Sequence, residues 1–187
     1  SGTDPCPAHL REPTPSVPAL GTLRCQYIGA ESTLRRQMPR ESSLKLTFLG
    51  TGTSFGIPVI GCSCPRCTSD DPRDRRTRHG ALLSLPGGTL LVDAPPDLRL
   101  QLVREGVRHV DAVWITHLHA DHVHGADDLR IFRFRAKKDM PVHCPEGSHF
   151  ELLRRFPYIF DEAIHPPPGS TIPQFRLMGF NAFEPQS

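Results

Sequence analysis

The 187-residue chain has no apolar run approaching the roughly 20 residues a membrane-spanning helix needs, so nothing in it reads as a transmembrane segment. It also lacks a dominant sign of charge. Its 22 Lys and Arg against 20 Asp and Glu leave a net +2 with the signs interspersed, which argues for neither nucleic acid nor a membrane surface as a partner. It has no charged-then-apolar leader and begins at Ser1, so the expectation is that the true start is missing or that a segment has been removed. No internal repeat is visible. Apolar residues are sparse, at 37%, whereas proline is plentiful, at 20 residues; a folded domain with a poorly structured flank accounts for that mix. Residues 1–43 hold six of the prolines and little periodicity, and are read as a flexible N-terminal flank with a weak strand signal at Cys25–Ile28.

What is present begins at Leu44. Leu44–Leu49 alternates apolar and polar residues before an apolar end, which predicts a strand. Gly50-Thr-Gly-Thr-Ser-Phe-Gly56 then turns the chain, and a cysteine loop and a charged stretch, Asp70 to Arg78, follow. Ala81–Leu85 and Thr89–Asp93, split by Pro86-Gly87-Gly88, predict a hairpin. Asp97 is placed to cap a helix running to Glu105, with Gly106 as its stop and Leu98, Leu102 and Val103 on its buried side. Val110–Thr116 is a further apolar strand, Gly125 to Arg135 reads as helical, and Met140–Cys144 as a short strand. Ser148-x-x-Glu151 is a capping box opening a helix that Pro157 ends. The last twenty residues show no strong pattern. Strands and helices alternating from 44 to about 156 predict a layered α/β fold.

The strongest chemical signal is His117-Leu-His119-Ala-Asp121-His122, four potential metal ligands directly after an apolar strand. On an extended segment His117 and His119 point the same way and can share one ion. Asp121 and His122 fall where the chain bends toward a helix and can serve a second. Imidazole and carboxylate suit zinc, with manganese and iron as alternatives. Histidines in a surface loop are the plain alternative, and this spacing at a strand-to-helix junction weighs against it. Of six cysteines, Cys62, Cys64 and Cys67 crowd together. That cluster reads as thiolate metal ligation in a reducing compartment, which favours the cytoplasm, against the alternative of reduced loop thiols.

The histidine segment resembles the H-x-H-x-D-H signature of the metallo-β-lactamase superfamily. The resemblance implies an αβ/βα sandwich holding two divalent metal ions, the first on His117 and His119 and the second on Asp121 and His122. His124 matches no ligand position. Leu44–Gly52 is similar to the opening strand and glycine turn of that family. Leu90–Asp93 is similar to its strand ending in a buried aspartate, which implies that Asp93 orients the metal-site loop from behind the ligands. Cys62-x-Cys64-x-x-Cys67 resembles a subgroup related to the phosphodiesterase of bacterial phosphonate breakdown, in which three such cysteines and a distant histidine hold a structural zinc. Cofactor-synthesis proteins of the same fold carry a similar cluster. The likeness spans about residues 44 to 165.

The family also supplies a third histidine, a bridging carboxylate and a final histidine downstream of the signature. His143, His149 and His165 lack the right setting, and no Asp follows Asp161. The expectation is therefore the N-terminal part of the sandwich, an incomplete domain over 44–187, with one sheet face left apolar and exposed, and a poor catalyst by itself. For the intact protein the expected activity is hydrolysis of a phosphodiester, cyclic ones included, by metal-activated hydroxide, with Asp121 as the catalytic carboxylate. Hydrolysis of a lactam, thioester or lactone competes, as does a non-catalytic cofactor-assembly role. An RNA-processing nuclease shares the histidine signature, but its long basic insertion is not visible, and Arg73–Arg78 reads as a solvated loop. Arg130, Arg133 and Arg135 read as an exposed charged face, with phosphate contact as the alternative. The expected partner is a small-molecule substrate, with no membrane and no nucleic acid, and a homodimer is compatible.

Overall fold

The computed structural model describes residues 44–161, 163, 164, 167 and 175–181. The proline-rich flank, the Cys25–Ile28 strand signal and His165 lie outside these residues.

Six strands form one sheet in sequence order: β1 (Lys45–Gly50), β2 (Gly80–Leu85), β3 (Gly88–Val92), β4 (Ala112–Trp114), β5 (Pro141–Pro145) and β6 (Arg176–Phe180). β2 runs antiparallel to both β1 and β3, and the predicted hairpin closes at Pro86-Gly87 with Leu85 opposite Gly88. From β3 onward the pairing is parallel, which demands a crossover between each pair of strands. The crossovers carry α1 (Leu98–Arg104), then α2 (Ala120–Val123) and α3 (Arg130–Ala136), then α4 (His149–Arg155) and α5 (Pro157–Phe160).

Strand alternation divides the apolar residues between two faces. Leu49, Leu82, Leu91, Val113, Val142 and Cys144 are buried in one core with Leu98, Leu102, Leu129, Phe132, Leu152, Ile159 and Phe160 from the helical connections. Truncating a residue as enclosed as Leu91 costs about 2–5 kcal/mol in cores of this kind. The intervening positions face the other way. Leu46, Phe48, Leu85 and Met178 are exposed there, and Trp114 stacks on Phe180 with ring centroids 4.3 Å apart. Among the described residues, then, one sheet face is packed and the other carries exposed apolar side chains.

Several local expectations yield to tertiary contacts. Asp97 makes no side-chain cap on α1; its carboxylate instead accepts from the Arg78 backbone N–H and guanidinium at 2.8 and 3.1 Å. The Ser148–Glu151 capping box does not form, because Ser148 has helical dihedrals and Glu151 is taken by Arg154 and Arg155. Pro157 ends α4 and also opens α5 at its first turn, where its missing N–H costs nothing. The predicted 125–135 helix splits into a 3-10 turn, Ala126–Leu129, followed by α3. β4 is shorter than the predicted Val110–Thr116 strand, although the Ile115 N–H still donates to the His143 carbonyl. β6 had no sequence signal.

The start of this segment is fixed by a close backbone approach. Gly125 N–H donates to Ala94 O at 2.8 Å, and a Cβ on Gly125 would stand 2.0 Å from the Pro95 carbonyl oxygen. The backbone after the histidine signature thus lies directly on the turn after β3. Gly125→Ala is expected to destabilise the chain by about 2–3 kcal/mol in urea unfolding, because neither backbone can retreat; a change within experimental error would contradict this close approach.

Candidate metal centre

Parallel pairing of β3 with β4 sets the site. Val92 pairs with Trp114, so the residues that follow each strand emerge side by side at the same sheet edge. Asp93 follows β3 with φ +61, a left-handed conformation that Asp tolerates better than most residues. Its N–H donates to Trp114 O at 2.8 Å, and the next amide, Ala94, donates to His122 O at 2.7 Å. The strand end and the histidine segment are thereby joined through the main chain.

The Asp93 side chain is fully buried, so its carboxylate requires donors. Thr116 supplies its backbone N–H at 2.8 Å and its hydroxyl at 2.9–3.0 Å. His122 Nδ1 lies 2.8 Å away. A carboxylate accepts only, so His122 carries its proton on Nδ1 and leaves Nε2 open, 3.4 Å from Asp121 Oδ2. The Thr116 hydroxyl also lies 3.0 Å from His117 Nδ1. With that hydroxyl donating to Asp93, His117 Nδ1–H donates to it in turn and His117 Nε2 is left open. That nitrogen is 3.1 Å from His119 Nδ1. The structure therefore places His117 beside His119 and Asp121 beside His122, and the His117 and His122 rings lie 3.9 Å apart between centroids. His124 faces away, edge-on to Phe156.

His117 Nε2, within hydrogen-bond distance of His119 Nδ1, and His122 Nε2, beside the half-buried Asp121 carboxylate, belong to a donor set suited to borderline divalent cations. Loss of hydration inside the cluster, followed by repulsion from His122 and His119, pushes the His117 imidazole below its ordinary 6.5, while Asp93 and Asp121 pull it up. The neutral form favoured by that balance is the one with a lone pair to offer.

The second cluster is equally well formed. The sulfur atoms of Cys62, Cys64 and Cys67 all lie within 4.8 Å of one another. The Val59 N–H donates to Cys67 Sγ at 3.3 Å, and Cys62 N–H and Thr68 N–H close turns on Val59 O and Cys64 O. An ion pair of 2.8 Å between Arg66 and Asp74 ties this loop to the charged stretch.

Other considered residues lie elsewhere. His143 sits on β5, stacked against Trp114, and Arg130 and Arg133 pair with Asp127 and Asp139. The sequence reading missed Thr116 and His79. His79 Nε2 is 3.1 Å from Asp93 Oδ2, and His79, Asp93 and His122 form a further compact group of potential ligand atoms. The hairpin register carries the signal: Ala81 pairs with Val92, so a residue just before Ala81 must lie near one just after Val92.

Comparison with known proteins gives a consistent picture. Residues 89–181 match the Beta-lactamase superfamily domain. The chain is 36% identical over 130 residues to an octanoyltransferase of Porphyromonas gingivalis, covering 69% of this chain and 26% of that protein. It is 32% identical over 158 residues to coenzyme PQQ synthesis protein B of a Methylobacterium species, covering 73% and 53%. Among solved structures, a diphosphatase from the PhnP family superposes with a TM-score of 0.63 at 36% identity, covering 74% of this chain and 51% of that one. The chain thus spans about a quarter of the first protein and about half of the other two.

The His117 balance has a consequence for stability. The unfolded chain takes up this proton at about 6.5 and the metal-free folded chain only at lower pH, so over that window the unfolded state binds more protons and stability rises with pH. On acidification from about pH 7.5 to about 5.5, the metal-free wild type should therefore lose stability relative to His117→Ala. Denaturant titrations of both at the two pH values measure this, and a constant difference would refute it.

Proposed function

We propose that this chain, which belongs to the β-lactamase superfamily and has the metallo-β-lactamase fold, carries the metal-binding half of a hydrolase acting on phosphodiesters, cyclic ones included. The observation that carries the reading is the paired presentation of His117 with His119 and Asp121 with His122 on one buried carboxylate. Two divalent ions fit this donor set, zinc first and manganese or iron as alternatives. When bound, they supply Lewis acidity and bring the pKa of water toward neutrality.

The chain's own residues have distinct duties. Asp93 and Thr116 fix the ring orientations of His122 and His117, which removes the entropy cost of arranging the ligands at binding. Asp121, half-buried beside His122, is the catalytic carboxylate: it helps hold the second ion and can take a proton from the attacking water. Likeness to a PhnP-family diphosphatase supports phosphorus as the electrophilic centre. Cys62, Cys64 and Cys67 are assigned a structural zinc, whose thiolate ligation contributes folding energy and supports a reducing compartment, the cytoplasm. No helix among the described residues is long and apolar enough to cross a membrane. The similarity to PQQ synthesis protein B favours one alternative, a cofactor-assembly role without phosphodiester turnover.

A substrate panel separates these readings. The zinc- or manganese-loaded protein containing this chain should hydrolyse bis(p-nitrophenyl) phosphate ahead of lactam, lactone and thioester substrates. The His117→Ala, His119→Ala double variant should lose at least about a hundredfold in turnover, as should protein treated with a chelator. Turnover unchanged by either, or confined to a substrate without phosphorus, would overturn the proposal.

A further inference from the structure

We infer that His79 is a positioning residue for the metal centre, holding the Asp93 carboxylate and the His122 ring from the side opposite the proposed ions. The inference rests on the reading of His122 as a ligand and extends it to a residue outside the H-x-H-x-D-H segment.

The backbone leading to His79 is clamped at both polar groups of the preceding residue. The Arg78 N–H donates to Asp97 Oδ2 at 2.8 Å, and the Arg78 carbonyl accepts from Gln101 Nε2 at 2.7 Å. Gln101 is a fully buried polar side chain on α1. Burying an amide there is costly unless its hydrogen bonds are used, and its NH2 group is spent on Arg78 O and on the Thr77 hydroxyl at 3.0 Å. On the other side Gly80 begins β2 and packs against Pro95. His79 therefore issues from a fixed strand end, not from a free loop.

Its side chain meets the site twice. Nε2 lies 3.1 Å from Asp93 Oδ2, the same oxygen that accepts from His122 Nδ1 at 2.8 Å. Its ring also packs edge-on against the His122 ring, with centroids 4.3 Å apart. The close Nε2–Oδ2 approach restrains the carboxylate, and the ring contact blocks the tilt by which His122 could leave it. Being 42% exposed, His79 acts through these two contacts and not as an enclosed core residue.

The test compares wild type, His79→Ala and His79→Gln, whose amide nitrogen can stand where the imidazole Nε2 stands beside Asp93, in the full 187-residue chain. Nitrogen-15 spectra of the metal-free histidine rings read the tautomer of His122. Wild type and His79→Gln should hold it in the Nδ1–H form, and His79→Ala should show a mixture. Zinc titration against a competing chelator should show binding at the histidines about tenfold weaker in His79→Ala, recovered largely in His79→Gln, with zinc at the cysteine cluster unchanged in all three. A His122 spectrum and zinc affinity in His79→Ala identical to wild type would overturn the inference. So would parallel loss of zinc from the cysteine cluster that His79→Gln fails to restore, since that marks a general folding role. If the wild-type histidines take no zinc yet the His122 tautomer answers to His79, the hydrolase reading falls and the positioning role stands.

Discussion

A single buried carboxylate, that of Asp93, is the constraint on which the rest of the structure turns. An ionised group with no solvent exposure is expensive unless its lone pairs are occupied, and here the Thr116 amide and hydroxyl and the His122 ring occupy them, with His79 beside them. The left-handed backbone at Asp93 is a local cost accepted to aim that carboxylate at the next strand's end. Because Thr116 also touches His117, the same carboxylate reaches one histidine of each proposed ion pair, directly at His122 and through one hydroxyl at His117.

The fold exists around that junction in a specific way. Parallel pairing of β3 and β4 brings two strand ends to one edge, and three main-chain hydrogen bonds zip the segments that leave them: Asp93 N–H to Trp114, Ala94 N–H to His122 and Gly125 N–H to Ala94. The Gly125 approach, too close for any Cβ, shows how little slack remains. The packed sheet face anchors the strands beneath, while the open face marks where further apolar surface can be covered.

Much of this could be read from residue order. Strands from Leu44, Ala81 and Thr89, the apolar segment into His117 and the helix after Asp97 follow from alternation, turn residues and helical spacing, and all but β4, which is confined to Ala112–Trp114, are found close to their expected bounds. The expected pairing of His117 with His119 and of Asp121 with His122 came from the two-residue period of an extended segment and the bend after it. What was not legible depends on partners distant in sequence. Asp97 and Glu151 looked like caps because capping is a local pattern, yet arginines claim both carboxylates. β6 was invisible because it is recognised by pairing with β5, not by its own composition. His79 carried no motif; its meaning comes from the hairpin register that lays it beside Asp93.

The most direct measurement is the zinc content of Asp93→Asn, which preserves the shape of the side chain while replacing one acceptor oxygen with an NH2 group that confronts donors. If one carboxylate orients ligands for both proposed ions, this variant keeps the zinc proposed for Cys62, Cys64 and Cys67 and loses the zinc proposed for the histidines as a whole. Zinc at His117, His119, Asp121 and His122 with wild-type stoichiometry and affinity in Asp93→Asn would contradict the account.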